Sequence, residues 1–289
     1  MEFRFPLILD GATGTELQRR GYTGDISMEK WTLAHPDCIR ELQRGYVDAG
    51  SQVLYTPTFG GNAVRLAAHG VTEDVAAYNR RLAALTREAA GDRALVAGDM
   101  APTGLFLPPL GDASFQQLVD AYAQQVAGLE AAGVDLYVIE TMISLSDARA
   151  AVLAVRAVTD KPIFVTFACD EHGRSISRTD ITAALTVLQD MGIDAFGLNC
   201  STGAQMLPQL RRLRAYARVP LIAKPSAGLP AMVDGRAVYD CPPEAFAACV
   251  PAMLGVRILG GCCGTTAAHI AALHRALYGG DLPEGHCGG

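Results

Sequence analysis

The chain has 289 residues, 50% of them hydrophobic and 19% charged, with a net charge of −6. This composition excludes a disordered chain, and the acidic balance excludes the basic footprint of a nucleic-acid binder. The length suits either two average domains or one α/β barrel.

The opening stretch MEFRFPLILDGATG holds no apolar run of signal-peptide length. A run of about 18 apolar residues occurs nowhere, so no membrane association and a cytoplasmic location are expected. Strand 7–10 comes first, followed by a helix marked by Ile39, Leu42, Tyr46 and Val47. Strand 52–58 leads to a helix carrying Val75, Tyr78, Leu82 and Leu85. Strand 94–100 leads to a helix with Leu118, Val119, Tyr122, Val126 and Leu129, which opens on Ser114 and Gln117 at capping-box spacing. The alternation continues with strand 136–141 and helix 146–158, then strand 162–169 and helix 180–191. Strand 195–200 and helix 205–217, strand 221–225 and helix 243–253, and strand 256–261 and helix 267–277 complete it. Several strands (LYVIE, PIFVTF) are apolar on both faces, as buried parallel strands are. Helices end on Gly50, Gly91, Gly133 and Gly192, where a left-handed cap is cheap.

Strand ends recur at a mean step of about 36 residues, one βα unit each. Eight such units predict a single (β/α)8 TIM barrel of the α/β class; a doubly wound open sheet rarely uses so many even units. The barrel is expected over residues 1–279, with the polar, Gly-rich stretch 280–289 as a flexible tail.

In a barrel of this kind, catalytic groups sit where strands end. Here those ends carry Asp10-Gly11-Ala12, Glu140-Thr141, Asn199-Cys200 and Gly261-Cys262-Cys263-Gly264. The eight cysteines are too sparse for a disulfide scaffold, so reduced thiols are expected. Adjacent Cys262 and Cys263 close a disulfide only with strain, and Cys200 can supply a third sulfur from two strands away. Three thiolates with an open fourth position suit a catalytic zinc, and three buried core cysteines are the plain alternative. A zinc loaded with sulfur makes hydroxide poorly but can lower the pKa of a substrate thiol and leave it nucleophilic. Asp10 and Glu140 can bind an ammonium group, and backbone N–H groups of 11–15 its carboxylate. Asp10 before glycine reads equally as a turn former. Asp170-Glu171-His172-Gly173-Arg174-Ser175 approaches a DxHxxG cobalamin pattern but lacks the last glycine and reads as a turn. His69, His269, His274 and His286 have helix or tail positions with no ligand role, and Cys287 is expected to be an exposed thiol.

ILDGATGTELQRRG, VLYTPTFGGN, APTGLFLPPLG, VIETM, GLNCS, KPSAGLP and GGCCGTT occur in the order found in the homocysteine S-methyltransferase family. From about residue 7 to 277 the chain resembles that family, and most of all the homocysteine-binding barrel of cobalamin-dependent methionine synthase. The resemblance implies one Zn2+ held by Cys200, Cys262 and Cys263, with the thiolate of L-homocysteine at the fourth position. It implies that Asp10 and Glu140 hold the amino acid, with Gly11 and Ala12 beside them and Asn199 in support. The product would be methionine. Two departures stand out: Thr56-Pro57-Thr58-Phe59 replaces the usual TNTF, and Gly264 stands where S-methylmethionine enzymes tend to carry Arg. The chain ends 26 residues after Cys263, so the methyl donor is expected from outside it, as methylcobalamin on a separate corrinoid protein. S-methylmethionine or betaine donors, another thiol or selenol acceptor, a vicinal-cysteine oxidoreductase, and a zinc-binding or redox-sensing barrel are the alternatives.

Overall fold

The computed structural model describes residues 3–233, 236–249 and 255–279. The strands are β1 (Leu7–Ile8), β2 (Val53–Tyr55), β3 (Leu95–Met100), β4 (Leu136–Met142), β5 (Ile163–Phe167), β6 (Ala195–Asn199), β7 (Leu221–Lys224), β8 (Ala231–Val233), β9 (Arg236–Val238) and β10 (Val256–Leu259). All but β8 and β9 form one parallel sheet in the order β1-β10-β7-β6-β5-β4-β3-β2. A parallel bridge between Leu9 and Val53 joins the two ends and closes the barrel. The expected eight-stranded α/β barrel is the observed fold.

Alternation along the strands explains why they read as apolar on both faces. Leu9, Tyr55, Val138, Phe164, Ile222 and Ile258 point inward and pack on one another. Their neighbours Ile8, Leu54, Tyr137, Val165 and Phe196 point outward into the helix layer. Phe3 plugs the base, its ring 5.2 Å from that of Phe164.

The helices are α1 (Gly14–Arg19), α2 (Met28–Ala34), α3 (Pro36–Asp48), α4 (Ala63–Ala68), α5 (Val75–Ala90), α6 (Phe115–Ala131), α7 (Leu145–Arg156), α8 (Ile181–Asp190), α9 (Gly203–Arg214), α10 (Pro243–Ala247) and α11 (Ala267–Tyr278). The capping box of α6 is formed: Gln117 N donates to Ser114 Oγ, and Ser114 N donates to Gln117 Oε1. Gly50, Gly91, Gly133 and Gly192 all take positive φ. Three short helices (α1, α2, α4) and the β8–β9 hairpin were not expected. Each lies in a connection at the mouth and is too short to establish a hydrophobic period. The tail at 280–289 and residues 250–253 of the helix expected at 243–253 lie outside the described residues. No helix among the described residues is long and apolar enough to cross a membrane.

The barrel wall is tightest at Gly197, an inward position of β6, where a Cβ would overlap the backbone carbonyl of Ile222 on β7. Neither backbone can yield without breaking the ladder. Gly197→Ala is expected to destabilise the fold by about 3 kcal/mol. Thermal unfolding checks this, and a melting temperature equal to that of the wild type would refute it.

Candidate metal centre and substrate pocket

The strand ends enclose a cavity of about 320 Å³. Its lining includes Asp10, Gly11, Ala12, Glu140, Cys200, Cys262 and Cys263, so nearly all the residues expected at the site reach it. Asn199 is buried beneath the rim rather than lining the cavity.

Cys200 follows β6 in the left-handed region, with φ 62°, and Thr141 at the end of β4 has φ 58°. Two non-glycine residues in this region beside one cavity store strain at a site, as functional positions often do. The turn aims Cys200 Sγ at the loop after β10, 3.3 Å from Cys262 Sγ. Cys263 Sγ lies 4.0 Å from Cys262 Sγ, and all three sulfurs fall within 4.8 Å of one another. Zinc–sulfur bonds of about 2.3 Å in a tetrahedron need S···S edges of about 3.8 Å, so the spacing fits one zinc ion. The loop is pinned on both sides: Cys262 N donates to Pro225 O at 2.8 Å, and Ala227 N donates to Cys263 O at 2.9 Å. Gly264, with φ 79°, packs so closely on Tyr239 that any side chain there would meet the ring. An Arg at this position therefore has no room in this conformation.

Hydrogen bonding within the cluster sets the three thiols apart in acidity. Hydrogen bonds from Cys200 and Cys262 lower Cys263 to about 3. Its bond with Cys262 favours the Cys200 thiolate, but donation to Cys263, burial and nearby charge outweigh this and push Cys200 up to about 12. A second thiolate is thus costly unless a cation balances it, which is the service a divalent, sulfur-preferring metal provides. Cys38, Cys169, Cys241 and Cys249 are free and stand outside this cluster.

Glu140 is pushed up to about 7 by burial, which the Lys224 charge only partly offsets. Asn199 Nδ2 donates to Thr141 Oγ1 at 2.7 Å and reaches Glu140 Oε2 at 3.4 Å, steadying both strand-end groups. Asp10 is already engaged: Lys224 Nζ lies 3.0 Å from one oxygen and Tyr55 N donates to the other at 2.7 Å. Burial raises Asp10, while Lys224 pulls it back. The Lys224 ammonium also sits 3.5 Å from the centre of the Tyr55 ring. Gly11 lacks a side chain because the Tyr46 ring occupies that space. The Ala12 N–H is taken by Thr265 Oγ1 at 3.0 Å, which removes it from the backbone donors expected to face a substrate carboxylate. Pro57 and Phe59 make an apolar wall of the cavity.

Lys224 and Asp99 were not singled out from the sequence. Each is a charged residue at or next to the end of an apolar strand (LIAK, LVAGDM), the same signal that marked Glu140. The segment beginning at Asp170 is the turn expected of it, with Asp170 Oδ1 accepting from His172 N and Arg174 N, both at 2.9 Å. His269 closes a capping box with Thr266 and points away from the sulfurs, to Cys241 O.

Residues 7–277 match the homocysteine S-methyltransferase family. The chain belongs to that family. Methionine synthases of Mycobacterium tuberculosis and Mycobacterium leprae are each 32% identical to it over 96% of its length. The chain spans 25% of the length of these relatives. Among solved structures, the homocysteine methyltransferase MmuM from Escherichia coli in its metallated form superposes with a TM-score of 0.78 at 26% identity, covering 92% of this chain and 94% of that one. The carboxyl transferase domain of Rhizobium etli pyruvate carboxylase shares the fold alone, at 15% identity and a TM-score of 0.52. The three cysteines thus converge at the mouth of a barrel that belongs to the homocysteine S-methyltransferase family.

Proposed function

We propose that this chain methylates L-homocysteine to methionine, using one zinc held by Cys200, Cys262 and Cys263 and a methylated corrinoid protein as donor in trans. The observation that carries the reading is the meeting of three sulfurs and the half-buried Glu140 carboxylate on one small cavity. The family membership and the names of the relatives support the acceptor.

When bound, zinc supplies the positive charge that keeps a substrate thiolate ionised at neutral pH without quenching its nucleophilicity. The protein's own residues do the rest. Glu140 receives the substrate ammonium from the β4 side, with Asn199 holding Glu140 in place. Asp10 faces it from β1, and the backbone at Gly11 borders the substrate carboxylate. The thiol proton leaves to solvent on binding. The sulfur then takes the methyl group, and the donor keeps the electron pair of the bond that breaks. The apolar wall of Pro57 and Phe59 keeps water from the path of the methyl group.

A macromolecular donor is supported by the rim. Leu229, Met232 and Val233 on or beside the β8–β9 hairpin, Ile176 after β5 and Leu110 after β3 are all exposed. Exposed apolar side chains on the loops that follow strand ends suit a docking partner more than bare solvent. Gly264 in place of Arg also favours this donor over S-methylmethionine.

A donor panel tests the reading. Zinc-loaded protein with homocysteine is expected to form methionine from methylcobalamin, faster when a corrinoid carrier is present, and to lose this activity to a chelator. Betaine and S-methylmethionine are expected to give none. Turnover with either small donor instead would replace the corrinoid part of the proposal. Turnover of a selenol but not of homocysteine would replace the acceptor.

A further inference from the structure

Asp99, the penultimate residue of β3, lines the cavity and is only 4% exposed. Its backbone is well tied, with Asp99 N donating to Thr56 Oγ1 and Asp99 O accepting from Thr58 Oγ1. Its carboxylate is not: Oδ1 has no hydrogen-bond donor among the described residues. The Tyr55 hydroxyl, 3% exposed and lining the same cavity, likewise lacks a partner. Buried polar atoms without partners are rare and call for an explanation.

The register of the sheet supplies one. Asp99 pairs with Val138, so Glu140 stands two residues further along β4 on the same inward face. Two carboxylates and a phenol oxygen thus line one cavity, and among the described residues no cation forms an ion pair with Asp99 or Glu140, although the Lys224 charge is felt by both. The nearby Lys224 is already engaged by Asp10 and the Tyr55 ring. Burial and then the Glu140 charge raise the Asp99 carboxyl well above its usual range, the strain expected of acceptors awaiting a positive group.

We propose that Asp99 is a direct contact for the primary ammonium group of the acceptor, and so selects amino-bearing thiols over thiols without an amine. An –NH3+ group has three donors, and Asp99 Oδ1, Glu140 and the Tyr55 oxygen offer three acceptors. Asp10 cannot play this part equally, because each of its oxygens already accepts a hydrogen bond. The inference rests on the homocysteine reading above and adds to it a residue that sets acceptor specificity.

Calorimetric titration of zinc-loaded protein with L-homocysteine and with 4-sulfanylbutanoate, its counterpart without the amine, tests it. Asp99→Asn is expected to weaken homocysteine binding by about tenfold or more, the weight of one charge-assisted hydrogen bond. Binding of 4-sulfanylbutanoate is expected to change by less than about twofold on the same reasoning. Zinc stoichiometry and melting temperature should stay at wild-type values. Asp99→Ser, smaller and still polar, serves as a second variant and should show the same selective loss. Unchanged homocysteine affinity, or an equal loss for both thiols, would overturn the assignment. Absence of homocysteine binding by the wild type would instead overturn the homocysteine reading, and this inference with it.

Discussion

Cys263→Ser is expected to abolish stoichiometric zinc binding and, with it, methyl transfer. Serine keeps the size of the side chain but offers a hard oxygen whose proton is far harder to remove, where zinc in such a site prefers a soft thiolate. Changes outside the ligand shell already reduce metal affinity about 10–100-fold, so loss of a direct ligand should exceed a hundredfold, about the upper end of that range. Elemental analysis of the purified variant gives the first readout. Proton release on adding homocysteine gives the second, because a thiol that is not activated gives up no proton near neutral pH. Cys249→Ser is the control: its sulfur contacts Ala245 O rather than the cluster, and both readouts should be unchanged. One retained zinc per chain in Cys263→Ser, with full proton release, would remove Cys263 from the metal site.

Lys224→Met should be the most damaging substitution for stability. The Lys224 and Asp10 side chains are only 4% and 2% exposed and face each other at 3.0 Å. Removing the ammonium leaves Asp10 buried against the backbone with an oxygen that lacks its cation. Breaking such a pair on one side costs about 3–5 kcal/mol, whereas replacing both partners is often close to neutral. The double variant Asp10→Asn/Lys224→Met should therefore recover most of the loss, since Asn still accepts from Tyr55 N. Urea unfolding of the four proteins in the cycle measures the coupling. Additive losses would mean that the pair is held apart in solution.

The pair also shows where reading along the chain runs out. The strands are legible because a parallel barrel buries both faces of each one, and that requirement is written into runs such as LYVI over four consecutive residues. Cys200, Cys262, Cys263, Asp10 and Glu140 are legible for a related reason. Once the βα repeat is counted, every strand end must emerge at the same face, so chemistry at strand ends must converge. Helices α1, α2 and α4 and the hairpin of β8 and β9 escape, being too short to show a period, although they shape the mouth.

Partnership around the ring has no such local trace. Strand β10 lies between β1 and β7, and Gly260 just after it has no side chain where the Asp10 backbone and the Lys224 side chain come together. Lys224 can therefore cross to Asp10, 214 positions away in the chain. That crossing turns one of the two expected ammonium acceptors into half of an internal ion pair, and Thr265 likewise takes the Ala12 N–H from the substrate side. Residue type and strand position thus established that acids and thiols meet at one mouth. Closure of the barrel decided which of them pair with each other and which, Asp99 among them, remain open to a ligand, because hydrogen bonds are satisfied by neighbours in space.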